Sequence, residues 1–86
     1  MPHYTPEMKV ALKRHQDAFE RAGHLWETIS RMRQEYNDLR DQEAWTYAGI
    51  ISGRIASLTF YANAASAEEN RAAAAVEELR KTEALR

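Results

Sequence analysis

Few residues in this chain have the type and spacing to do chemistry. Histidines stand at His3, His15 and His24, and no cysteine occurs in the 86 residues. Without cysteine there can be no disulfide, no thiolate metal ligand and no thiol nucleophile, and the redox compartment is left open. Glu20, His24 and Glu27 share one helical face and come nearest to a metal-binding set. Their order is the reverse of the Glu-x-x-His of carboxylate-bridged metal bundles, and the face they occupy is polar. Structural zinc or iron takes three or four converging ligands, so neither a metal site nor a cofactor is expected. His15 falls on an apolar stripe, where a histidine is usually packed and bonded to a neighbour. There is no glycine-rich phosphate loop, no serine in a nucleophile elbow and no carboxylate pair walled into a pocket. No catalytic residue is assigned, and the chain is read as non-enzymatic. Lys9, Lys13, Arg14 and Arg21 form the most basic patch and are the candidates for phosphate or partner contacts.

The bulk charge gives that patch little support. Twelve Lys and Arg stand against thirteen Asp and Glu. Residues 1–43 hold seven basic and eight acidic side chains, and residues 44–86 hold five of each. A general electrostatic pull toward nucleic acid or an anionic membrane is therefore not indicated. The N-terminus shows neither the charged start nor the apolar run of a secretory signal, and a cytoplasmic location is expected. Alanine is abundant and both prolines lie within the first six residues, a composition that favours a single all-α domain.

Two helices must position these residues. Thr5-Pro6-Glu7 is a helix start: a capping hydroxyl, a proline suited to the first turn, and an acid at the positive end of the dipole. Residues 1–5 are expected to be a loose start and about 6–39 the first helix. Its apolar stripe reads Met8, Leu12, His15, Phe19, Ala22, Trp26 and Ile29, with Ala11, Ala18, Leu25 and Met32 widening one edge. Beyond Ile29 the apolar line continues through Met32, Tyr36 and Leu39, one step to the side. Asn37–Glu43 contains cap formers but neither Gly nor Pro, and Asp41 is expected to cap a second helix over about 42–85. Folding back at residue 41 would set the bulky Leu12, Phe19 and Trp26 against a line of small residues, including Ala56, Ala62, Ala64, Ala65 and Ala72.

The second helix carries two apolar faces. One is Ala44, Ala48, Ile51, Ile55, Leu58, Ala62 and Ala65, continuing through Ala72, Val76 and Leu79 but interrupted by Glu69. The other is Ile50, Gly53, Ser57, Phe60, Ala64 and Ala67. A helix apolar on two sides needs two coverings. The first helix supplies one, and a second copy of the chain is expected to supply the other. The expected architecture is thus an antiparallel two-helix hairpin that dimerises into a four-helix bundle. A membrane span over Ala44–Ala67 is disfavoured by the central Arg54, at about 2.5–3.5 kcal/mol, and by the polar residues around it. Trp45, Tyr47, Phe60 and Tyr61 are expected either in an intersubunit core or in a patch for another protein.

Two outlines are similar at the level of fold. Rop-type hairpins pair into antiparallel four-helix bundles and bind RNA, which would use the Lys9–Arg21 face here. The chain also resembles small secreted helical hairpins of the WxG type, being cysteine-free, with two long helices and a tryptophan near the bend. It departs from their motif, since Trp45 is followed by Thr-Tyr-Ala-Gly. The preferred expectation is a non-catalytic protein–protein interaction module, an adaptor, assembly factor or small inhibitor, that takes no small-molecule substrate. Itself and another protein are its expected partners.

Overall fold

A computed structural model describes residues 4–85, within which the chain forms two long helices packed as an antiparallel hairpin. Helix α1 spans Pro6–Asp41 and α2 spans Trp45–Ala84. The hairpin measures 64 × 22 × 15 Å. No described helix is long and apolar enough to cross a membrane. His3 and the first part of the expected loose start lie outside the described residues.

The start of α1 follows its sequence signals. Thr5 is the N-cap, its hydroxyl accepting from the Met8 amide at 3.2 Å, and Pro6 and Glu7 occupy the first turn. The same hydroxyl donates to Glu83 Oε1 at 2.6 Å, across the open end of the hairpin. An acid in the last turn of α2 sits badly with that helix's own dipole. Antiparallel packing brings it instead to the positive end of α1, where it is favourable.

The bend departs from expectation. Asp41 does not cap α2; it is the last residue of α1, which runs two residues further than expected. The chain turns through Gln42, Glu43 and Ala44, and Glu43 has φ 58°. The Ala44 amide donates to Leu39 O at 2.8 Å and the Glu43 amide to Arg40 O at 2.9 Å. This is a Schellman closure of α1, with Glu43 at the left-handed position that glycine usually takes. Helix α2 then begins behind Ala44, with no side-chain cap.

The seam also corrects the expected stripe of α1. Phe19 is 60% exposed and lies outside the seam, whereas Leu12, packed against Met8, Ala11 and Val76, and Trp26, bonded to Ser66, flank it half-buried. The line facing α2 is Met8, Ala11, His15, Ala18, Ala22, Leu25, Ile29, Met32, Tyr36 and Leu39, all buried or half-buried. Its spacing alternates three and four without a break, so the sideways step after Ile29 disappears. Ala11, Ala18, Leu25 and Met32, expected at one edge of the stripe, are its centre. On α2 the expected first face holds throughout, Glu69 included, which is half-buried in line with Ala65 and Ala72.

Among the described residues alanine makes up six of the ten buried apolar ones (Ala11, Ala18, Ala22, Ala48, Ala62 and Ala65), so the expected bulky-into-small seam is small against small through the middle. Methyl groups bury little area each, and at about 25 cal/mol per Å² such a core stabilises modestly. Polar bonds hold the two helices in register. Trp26 Nε1 donates to Ser66 Oγ at 2.9 Å, and Arg21 pairs with Glu68 at 2.9 Å.

Candidate functional site

The outer surface of α2 is the most distinctive part of the molecule. Helical periodicity places Ile50, Gly53, Ser57, Phe60, Ala64 and Ala67 on the side away from α1, and all six are exposed. Phe60 is 71% exposed and Ile50 50%. Tyr47 and Tyr61 border the face and are exposed as well, the Tyr61 ring meeting Phe60 edge-on with centroids 5.6 Å apart. A Cβ built on Gly53 meets nothing within 4 Å. Beside this glycine runs a shallow groove of about 480 Å³, with Met32 of α1 on one wall and Ile50, Gly53, Arg54, Ser57 and Leu58 of α2 making up the rest. Arg54 is the one charge between Ala44 and Ala67, and it lines this groove beside the face rather than standing in the middle of the face. Trp45, at the start of α2, is exposed too.

The basic candidates divide between two surfaces. Arg14 and Arg21 line a wider groove of about 790 Å³ between the helices near their open end, and Arg71 of α2 joins them. The floor of this groove is apolar, from Val10, Ala11, Ala72, Ala75 and Leu79. Lys9 and Lys13 do not line it. Acids stand among the arginines: Arg21 is paired with Glu68, and Glu7 and Asp17 lie on the same walls. Lys13 binds Asp17 at 2.8 Å, and that hydrogen bond with the carboxylate charge raises the ammonium pKa above its ordinary value. Arg71 escaped sequence reasoning because it lies far along the chain from the Lys9–Arg21 cluster; only the antiparallel fold brings it alongside.

His15 takes its place in the seam, half-buried, and His24 is exposed on the outer side of α1. Among the described residues no three His, Asp or Glu side chains are grouped to hold a metal ion, and no buried side-chain nitrogen or oxygen lacks a hydrogen-bond partner. Comparison of the chain with protein-family models, with curated proteins and with solved structures found no match.

Proposed function

We propose that this chain is a non-catalytic protein-binding module whose docking surface is the outer face of α2. The observation that carries the proposal is the exposure of Ile50 and Phe60, with Gly53, Ser57, Ala64 and Ala67 between and beyond them. Contiguous apolar surface of this kind on a water-soluble chain marks an interaction site. Aromatic side chains are favoured anchors of such sites, and the thin alanine seam gives the hairpin more to gain from association than a well-filled core would.

The test compares wild type with Gly53→Leu and Phe60→Glu for retention of proteins on the immobilised chain, at low and high salt. Loss of retention in both variants, with wild-type retention little changed by salt, is the expected result. Retention that survives both substitutions overturns the assignment. A second reading draws on the meeting of Arg14, Arg21 and Arg71 at one groove: nucleic-acid binding through the basic side of the hairpin. Phosphate binding must weaken steeply with salt, so the same titration separates the two.

A further inference from the structure

We infer that the outer face of α2 is covered by the same face of a second copy, with the two α2 helices antiparallel about a two-fold axis passing between Leu58 and Thr59. The inference rests on the docking role proposed for that face and names its occupant.

The first argument is self-complementarity. A two-fold interface must present each patch to itself. In this register Ile50 faces Ala67 of the other copy, Phe60 faces Ser57, and Gly53 faces Ala64. Each large side chain meets a small one, and the open space over Gly53 is filled by the approach of the other helix. Sliding one heptad in one direction sets Ile50 against Phe60 and leaves Gly53 opposite Ser57, so one layer is overfilled and the next empty. Sliding one heptad the other way drives Arg71 onto Gly53 and into the apolar layer. Only the chosen register packs without a clash, a void or a buried charge.

Charge supplies the second argument. Arg54 borders the face on the side where Tyr61 of the other copy lies, about two residues or roughly 3 Å from the same level along the axis, within reach of a cation–π arrangement. Tyr47 stands in the same relation to Glu68, whose carboxylate can accept from the phenol. No like charges are brought together along the shared stretch.

Area is the third. Aromatic side chains bury about 150–250 Å² each. Phe60, Tyr61 and Tyr47 are each 60–71% exposed and Ile50 is 50% exposed. With the small residues between them, this gives about 600 Å² per copy. The total of roughly 1,200 Å² reaches the lower edge of stable interfaces.

The geometry also sets the shape of the dimer. At about 100° per residue, the outer face lies roughly 160° round α2 from the seam that holds α1. The four helices then form a row, α1–α2–α2–α1, rather than a square bundle. The axis lies to the N-terminal side of the middle of α2, so the dimer would be about 80 Å long at 1.5 Å per residue, against 64 Å for one hairpin.

The natural chain has no cysteine, which makes the test direct. Gly53→Cys and Ala64→Cys are made separately, and each is tolerable in the hairpin because both positions are exposed. Under mild oxidation an equimolar mixture should convert most of the chain to a disulfide-linked heterodimer, and neither variant alone should do so. A mixture of Gly53→Cys with Ser57→Cys, the pair that meets in a register slid by one heptad, should form no mixed disulfide; Ser57 lies beside the two-fold axis, so Ser57→Cys can link only to its own copy. A Gly53–Ser57 disulfide in that control, or linkage of Gly53→Cys alone or of Ala64→Cys alone, overturns the register. Wild type that scatters light as a monomer across a dilution series to high concentration overturns the second copy as occupant. In that event Gly53→Leu decides the remaining question: lost protein retention leaves the docking role standing with a different partner, and undiminished retention removes the docking role as well.

Discussion

Replacing Glu43 with glycine should stabilise the hairpin. Glu43 is the one non-glycine residue with positive φ among the described residues, at 58°. An L-residue in that conformation costs about 1–2 kcal/mol, from the approach of Cβ to the following carbonyl. Glycine removes that cost but makes the unfolded chain more flexible, which returns about 0.4–1 kcal/mol. The net gain is about 0.5–1 kcal/mol. At roughly 4–8 °C per kcal/mol for a domain of this size, Tm should rise by about 2–8 °C. The assay is thermal unfolding followed by far-UV circular dichroism, at one fixed protomer concentration because association would shift Tm. Glu43→Asn should fall between, since asparagine tolerates the left-handed region. Glu43→Val should be the least stable of the set, because a β-branched side chain is the worst fit there. A glycine variant no more stable than wild type would refute the left-handed closure of α1. It would reopen the position of the bend.

Two further outcomes follow from the helix ends and faces. Thr5→Ala removes both the N-cap bond to Met8 and the bond to Glu83; it should cost about 2 kcal/mol, roughly 10 °C of Tm, with most of the loss recovered in Thr5→Ser. Gly23→Ala puts a methyl group where nothing lies within 4 Å, and should raise stability by about 1 kcal/mol through helix propensity alone. A loss on thermal unfolding would mean that this side of α1 is covered in solution.

The two-helix plan was legible because alternating steps of three and four residues persist along both segments, and because Thr5-Pro6-Glu7 is a start signal that nothing competes with. The first face of α2 was legible for the same reason. What misled was size. Leu12, Phe19 and Trp26 are the largest apolar side chains on their part of α1, and weighting by bulk drew the stripe through them. Packing centred the seam on the row of Ala11, Ala18 and Leu25 beside them, since small residues let two helices approach closely and the whole row continues in step to Leu39; Leu12 and Trp26 flank that row, and Phe19 alone is left out in solvent. The bend was hidden because its left-handed residue is a glutamate, which carries no turn signal in sequence. The six residues of the second face were legible as a pattern, and the hairpin leaves them exposed. The basic cluster was legible only on one helix, and its extension to Arg71 depended on the register between the two.

That register has a mechanical side. Ala18, Ala22, Ala62 and Ala65 line the middle of the seam, and methyl groups present a nearly smooth track along which one helix could slide past the other. Bulky Met8, Ile29, Ile51 and Val76 resist sliding toward the ends, and among the described residues three polar pins cross the seam: Thr5 on Glu83 at the open end, Arg21 on Glu68, and Trp26 on Ser66. Apolar burial sets how tightly the helices are held together, and through the smooth middle of the seam the pins add most to where along the track they stop. Changes at the pins should therefore shift register more than cohesion.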